Sequence, residues 1–383
     1  MLTRQGFAAV AAGVAAIVVG RFFAVVELFV IGTAFVAAAV VAVVLVRVRR
    51  PRVAAVRWAH PSVLVAGDTG RVDLHLRHLG RMRSTPFELV ETVQRAGSGA
   101  HVARLPISPL AVGASSSTGY QLPTSVRGIV ELGPLRAEVR DPLGIARLSQ
   151  EIVGVEEVTV APRAHLLEIP QLGQGLLGTH LLERARRLGP GDFHGLREYV
   201  DGDEPRSIHW KASARSEQLL VKEHTVEGLR RCTVVLDADP DAYRDADGFE
   251  RAIVAAASLV HSAEREGLTT RFVTAGGVDL RGPDVVVNTL RVLARLRPSA
   301  SSPARLDREP GEGLGLLISI TATHGTGAWR RAHGIVDPTI TVVGVTTDER
   351  AGSGLNVSAR SEGEFLDSWR QLTGRGRLDL VGA

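Results

Sequence analysis

From Leu28 to Val46 the chain runs 19 residues without a charged side chain, and no other feature constrains its fold as strongly. At ~1.5 Å per residue a helix of that length covers the ~30 Å hydrocarbon layer of a bilayer. Ahead of it, Gly6 to Gly20 is an uncharged run of 15 residues rich in Ala, Val and Ile, which reaches spanning length if Arg21 snorkels and Phe22 to Val26 join it. The stretch Arg21 to Glu27 is too short to hold a domain. The two runs therefore predict an antiparallel transmembrane hairpin with both ends on one side of the membrane. Arg4 precedes the first run and Arg47, Arg49, Arg50 and Arg52 follow the second, which by the positive-inside rule puts both ends, and all that follows, in the cytoplasm. The competing reading is a cleaved signal peptide with Arg4 as its charged start and residues 6–20 as its apolar core. That reading leaves Leu28 to Val46 embedded and turns the remainder outward.

The apolar surplus of the composition sits in this front segment. Hydrophobic residues make up 45% and charged residues 22% of 383, with a mean hydropathy of +0.10, which excludes disorder for most of the chain and allows two or three folded units. Cations are almost all arginine, with Lys211 and Lys222 the two lysines. The net charge of +4 is a modest imbalance and thin support for a nucleic-acid partner, a reading on the arginine-rich face that predicts affinity falling steeply with salt. A single cysteine, Cys232, forbids an intrachain disulfide and favours a reducing compartment.

After Pro51 the pattern turns to alternation, with Val72, Leu74 and Leu76 on one side and Arg71, Asp73, His75 and Arg77 on the other, as in a half-buried strand. Short β-type segments follow at Phe87 to Val93, His101 to Ile107, Ser117 to Leu122, Gly128 to Leu132, Leu135 to Val139 and Glu157 to Val160, separated by Gly, Pro and Ser turns. Seven such strands predict an immunoglobulin-like β-sandwich over residues 51–162, after the hairpin of residues 1–50. Residues 163–190 read as a connector. Gly173-Gln174-Gly175-Leu176-Leu177-Gly178 there matches the dinucleotide-binding G-x-G-x-x-G letter by letter, but Ile169-Pro170-Gln171 is a poor end for the strand that mechanism requires. Arg184, Arg186 and Arg187 in the short helix that follows read as a solvated face or as neighbours of anionic headgroups.

Residues 191–383 alternate strand and helix. Strands are predicted at Arg231 to Leu236, Thr270 to Thr274, Leu314 to Ile320 and Thr339 to Val345, and helices at Gly248 to Glu266, Asp284 to Leu296 and Glu364 to Leu372. This order implies an open, mostly parallel sheet with helices on its faces, whose ligands bind at the carboxyl ends of the strands. That rim holds Asp237, Asp239, Asp241, Thr321 and Thr323.

The segment from Gly191 to His224 packs Arg197, Arg206, Lys211, Arg215 and Lys222 against Glu198, Asp201, Asp203, Glu204 and Glu223 around Tyr199 and Trp210. Such mixing predicts arginine forks clasping carboxylates and stacking on rings. Gly191-Asp192-Phe193, Leu196-Arg197-Glu198-Tyr199, Gly202-Asp203, Arg206, Ile208, Trp210-Lys211 and Ala214-Arg215 together resemble the signature of the domain-of-unknown-function family 58. Arg127-Gly128, Leu132-Gly133-Pro134, Asp141-Pro142-Leu143-Gly144 and Val160-Ala161-Pro162 resemble that family's β-domain landmarks. The resemblance implies a membrane-tethered bacterial or archaeal protein whose C-terminal region is a von Willebrand factor A-like α/β domain. It also implies a MoxR-type AAA+ ATPase as partner, and it brings no catalytic residues. Arg197, Tyr199, Asp203, Arg206, Trp210 and Arg215 are then the expected binding or structural surface of a non-enzymatic adaptor.

An A-type domain holds a divalent ion on an Asp-x-Ser-x-Ser loop. Here Asp237-Ala238-Asp239-Pro240-Asp241 puts carboxylates where the hydroxyls should stand. Those oxygens suit Mg²⁺ or Ca²⁺, which leaves a metal-dependent binding domain or hydrolase as the alternative, and a solvent-exposed acidic turn as the plain reading. Cys232 lies in an apolar run and is expected to be buried and protonated. His194, His209 and His224 are fifteen apart, and neither H-E-x-x-H nor C-x-x-C occurs, so metalloprotease and zinc-ribbon chemistry is excluded. Trp210 and Trp369 are expected to pack rather than to stack on bases.

Overall fold

The structure, a computed structural model, describes residues 2–61, 63–95, 99–170, 172–187, 193–200, 205, 208–216, 218–224, 231–299, 315–335, 340–352 and 354–374. The chain divides into two compact units, Met1–Ala161 and Pro162–Ala383.

The first unit opens with helices α1 (Arg4–Phe22) and α2 (Val26–Val48), both long and apolar enough to cross a membrane. Thr3 caps α1 by accepting the Gly6 N–H at 3.1 Å. Ala24, with φ 57°, makes the turn between the helices. Gly6, Gly13 and Gly20 fall seven residues apart and are the buried residues of α1. On α2, Gly32, Ala39 and Val46 repeat that spacing. The seam is close: a methyl group on Gly32 would lie 2.6 Å from the carbonyl oxygen of Gly13, so the two backbones touch, as small residues permit between apolar helices. Val18, Phe22, Val26, Val30 and Val41 point outward.

Nine strands follow: β1 (Val53–His60), β2 (Leu64–Val65), β3 (Gly70–His78), β4 (Phe87–Arg95), β5 (His101–Ile107), β6 (Ser115–Leu122), β7 (Gly128–Arg140), β8 (Arg147–Val153) and β9 (Glu156–Ala161). They form an antiparallel sheet β1-β3-β6 and a second sheet β2-β9-β7-β4-β5, with β8 also on β7. One core serves both sheets. Val72, Leu74 and Leu76 meet Leu89, Val93, Leu132 and Leu135 there, and Ala42 and Val46 of α2 join them. The segments expected at 128–132 and 135–139 are one strand, which carries Gly133 at φ 108°. β1, β2 and β8 are additional to the sequence reading. β1 carries Arg57 on its buried side, and β8 has no buried residue to mark a face.

In the second unit, α3 (Gly175–Arg187), β10 (Phe193–Glu198), α4 (Trp210–Ser213) and β11 (Leu220–His224) precede the main sheet. That sheet is built from β12 (Arg231–Leu236), α5 (Ala246–Arg265), β13 (Thr269–Thr274), β14 (Val278–Leu280), α6 (Val285–Arg295), β15 (Gly315–Thr321), α7 (Gly327–His333), β16 (Ile340–Thr346), β17 (Asn356–Ser358) and α8 (Glu362–Thr373). Its order is β14-β13-β12-β15-β16-β17, parallel except at the β13–β14 edge. The fully buried strand β15 reads Gly-Leu-Leu-Ile-Ser-Ile-Thr, the continuous apolar run of a sheet covered on both faces. Residues of α3, α5, α6 and α8 pack into the core on one face, and Ala332 of α7 meets Val235 and Leu317 on the other.

The stretch read as a connector belongs to this core. Leu167, Leu177, Leu181 and Ala185 are buried in it. The N–H groups of His165 and Leu167 each donate to a serine of α5, Ser258 and Ser262, at 2.9 Å. Trp369 donates to the carbonyl of Glu168 at 2.8 Å. Among the described residues no strand leads into Gly173, so the dinucleotide-type spelling lacks the strand that mechanism requires.

Candidate functional site

Two places in the second unit gather residues that the sequence singled out. The first is the signature segment, where β10 and β11 pair antiparallel with Arg197 opposite Val221. The main chain of Tyr199 continues the ladder, its N–H donating to Leu219 at 2.8 Å, and Ile208 bridges to Val221. His209 Nδ1 caps α4 by accepting the Ala212 N–H at 3.0 Å, and Ser213 ties that helix to β11 by accepting the Leu220 N–H at 2.8 Å. Trp210 thus opens a short helix fixed on a hairpin, and its side chain is 65% exposed. This corrects the expectation of a packing tryptophan, which holds for the buried Trp369. Tyr199 is half-buried and Arg215 exposed. Asp203, Arg206 and the side chain of Arg197 lie outside the described residues, and with them the expected arginine–carboxylate clasp. Leu196, Val200 and Leu219 are exposed on this segment along with Trp210, among the exposed charges of Glu198, Lys211 and Arg215.

The second place is the carboxyl edge of the parallel sheet. The strand order reverses between β12 and β15, which is where α/β sheets open a crevice. Asp237 follows β12, its N–H donating to Ile320 at 2.9 Å, and Tyr243 Oη donates to its carbonyl at 2.6 Å. Burial pushes the Asp237 carboxyl above its ordinary value, opposed by the Asp239 N–H, the charge of Arg331 and the hydroxyl of Thr326. Asp237 accepts that N–H at 3.2 Å, and Asp239 in turn accepts the Asp241 N–H at 3.1 Å. The acidic run is therefore a succession of side-chain-to-backbone turns. Among the described residues no three His, Cys, Asp or Glu side chains come together as a metal site, Asp237, Asp239 and Asp241 included. The three-carboxylate cation site does not fit this geometry.

Across the crevice, Thr321 Oγ1 donates to the carbonyl of Thr323 at 3.0 Å, so both threonines lie on the rim as expected. Beside them stands a group that the sequence reading missed. His324 Nδ1 and Glu349 Oε2 are 2.6 Å apart, and the His324 N–H donates to the same oxygen at 3.0 Å. These bonds hold the Glu349 carboxyl below its ordinary value. Trp329 meets the His324 ring edge-on at 4.4 Å and stacks on His333 at 3.9 Å, and burial lowers the His333 imidazolium. No local motif announces this cluster, because parallel crossovers bring residues 324 and 349 together. Cys232 is fully buried and its thiol is pushed up to about 12 by burial alone, so the expectation for it holds.

Solved structures with similar segments include the CARDB domain of the PF1109 protein from Pyrococcus furiosus in complex with di-metal ions, with a TM-score of 0.22, 12% identity, and 29% of this chain and 93% of that chain covered. They also include the β-glucosidase EmGH1 from Erythrobacter marinus, with a TM-score of 0.21, 9% identity, and 29% of this chain and 15% of that chain covered. The alkylpurine DNA glycosylase AlkC from Pseudomonas fluorescens has a TM-score of 0.23, 15% identity, and 30% and 31% covered. No curated protein matches the sequence. Residues 195–301, which carry most of the signature hairpin and the first three strands of the parallel sheet, match the model of the family described as protein of unknown function DUF58, and that match supports the resemblance read from the signature.

Proposed function

We propose that the chain is a non-enzymatic, membrane-anchored adaptor. The two apolar helices form the transmembrane hairpin, the two-sheet body is an immunoglobulin-like β-sandwich at the cytoplasmic surface, and the α/β unit is a von Willebrand factor A-like domain. That domain presents a protein-binding surface to a MoxR-type AAA+ ATPase or its client. The observation that carries the reading is the exposed side chain of Trp210, with Leu196, Val200 and Leu219 on the same signature segment. Bulky apolar groups left in water together mark contact surfaces, and tryptophan is prominent among interface anchors. The doubly wound strand order supports the A-type domain, and the length and apolarity of α1 and α2 support the anchor.

Affinity capture from detergent-solubilised membranes, with bound proteins identified by mass spectrometry, tests it. Wild type is expected to retain an AAA+ ATPase and Trp210→Ala to retain about tenfold less, the loss typical of a central anchor. Absence of the ATPase, or equal capture by both, overturns the reading.

A further inference from the structure

In the first unit, two of the connections at one end of the two sheets are tied to the base of the helical hairpin. β1 starts there after Arg52, β3 leads there into residues 79–86, β5 into residues 108–114 and β7 into residues 141–146. The turn from Asp141 to Ala146 is fastened to the start of α1. Thr3 Oγ1 donates to the Gly144 carbonyl at 2.6 Å, the Thr3 N–H donates to Ile145 at 2.9 Å, and Leu2 bridges to Ala146. Residues 79–86 are fastened to the end of α2. The Leu79 N–H donates to the Arg52 carbonyl at 2.7 Å and Thr85 Oγ1 to that of Arg49 at 3.4 Å. Arg50 Nε donates to Gln150 Oε1 in the middle of β8 at 2.6 Å.

What these two turns present is unusual for loops in water. Leu79, Met82 and Leu143 are 60%, 75% and 69% exposed. Leu143 is held out rigidly, because the buried Asp141 carboxylate accepts its N–H at 2.9 Å and that of Ala146 at 2.5 Å. Arg81 and Arg83 flank Met82, and Arg49 stands beside them, all exposed. Asp141, already engaged by those N–H groups, is the one acid in these turns. The opposite end of the sheets also exposes valines, Val63 and Val126, but its connections carry Asp68 and a single arginine, Arg127. Apolar tips with cations at the foot of two spanning helices match a surface that is greasy below and anionic above.

We propose that this end of the two-sheet body rests in the membrane interface, with Leu79, Met82 and Leu143 entering the headgroup layer and Arg49, Arg81 and Arg83 meeting anionic phospholipid phosphates. The inference rests on the membrane reading of α1 and α2. It goes beyond that reading in making the body a second, lipid-selective contact rather than a passenger on the hairpin.

The test uses the full chain in vesicles of equal parts phosphatidylcholine and phosphatidylglycerol. An environment-sensitive fluorophore is placed on Met82→Cys, and on Val126→Cys as the far-end control, the native thiol being fully buried. Expected are a blue shift and quenching by doxyl-labelled lipid at position 82 but not at 126, with a loss of the shift in Arg81→Glu/Arg83→Glu and a weaker shift in pure phosphatidylcholine. Carbonate washing of the same vesicles reports on the hairpin separately. Retention after washing with no shift at 82, or with equal shifts at both positions, overturns this inference and leaves the anchor standing. Release by carbonate overturns both.

Discussion

Arg57 Nη2 stands 2.5 Å from Glu91 Oε1, linking β1 in one sheet of the first unit to β4 in the other, with both side chains almost wholly withdrawn from water. Tyr120 Oη on β6 donates to the second Glu91 oxygen at 2.8 Å, and Arg57 also reaches the carbonyls of Leu132 and Gly154. Burial raises the Glu91 carboxyl even against Arg57 and Tyr120. Removing one partner strands the other: Glu91→Ala is expected to cost about 3–5 kcal/mol, while Arg57→Met/Glu91→Leu is expected to cost less, the remainder being the stranded Tyr120 hydroxyl and the Leu132 and Gly154 carbonyls. Urea unfolding of the three proteins checks this, and a double variant as unstable as the single would show that the pair itself stabilises the fold.

The glycine seam between α1 and α2 has no room for a side chain. Gly32→Val is expected to push the helices apart and to destabilise the detergent-solubilised chain by ~1–3 kcal/mol. Gly363→Ala, at a site with open space around it, is expected to change stability by less than about 0.5 kcal/mol. Thermal unfolding in one detergent compares them.

Trp210 distinguishes a binding role from a packing one. With its side chain mostly in solvent, Trp210→Ala is expected to leave stability within ~0.5 kcal/mol of wild type while capture falls. A large fall in melting temperature instead would make it a structural residue.

Asp279 supplies an acid-sensitive contact. Its carboxylate takes two bonds from Arg271, at 2.9 and 2.7 Å, and two from Arg281, which hold its pKa down to about 2. A depressed carboxyl stabilises the fold above its ordinary value and loses that contribution as pH falls through about 2. The pair is partly exposed, so the contribution is expected to stay below ~1 kcal/mol. Wild type should accordingly lose more stability than Asp279→Asn between pH 5 and about pH 2 in denaturant titrations.

Cys232 is expected to resist maleimide in the folded chain and to react at the rate of unfolding, since both burial and a thiol near 12 oppose the thiolate. Rapid native labelling would contradict the packing of β12.

The parts of the fold readable in the sequence are those where one physical signal dominates. The runs of β12, β13, β15 and β16 are apolar because both faces of their sheet are covered, and the reading places them within a residue or so. β3 shows clean alternation because one side of it is buried. β1 escaped notice since Arg57 occupies an inward position, which makes a buried strand look like a solvated one. The segment 163–187 passed for a connector because its Leu167, Leu177 and Leu181 are too sparse to show a period until α5 and α8 are in place. At the candidate sites, Asp237, Thr321 and Thr323 were found from the rule about strand ends. His324, Glu349 and Trp329 were not, because only tertiary crossovers join them. The seven-residue spacing of Gly6, Gly13 and Gly20 states the helix seam outright in the sequence.

The bond from Thr3 to Gly144 closes a loop of 141 residues. During synthesis at ~5–20 residues per second, Thr3 emerges from the ribosome on the order of ten to thirty seconds before its partner. Throughout that wait α2 can already hold residues 79–86 while the start of α1 lacks its partner turn, and the fastening of Thr3 to Gly144 reports that translation has passed the end of β7.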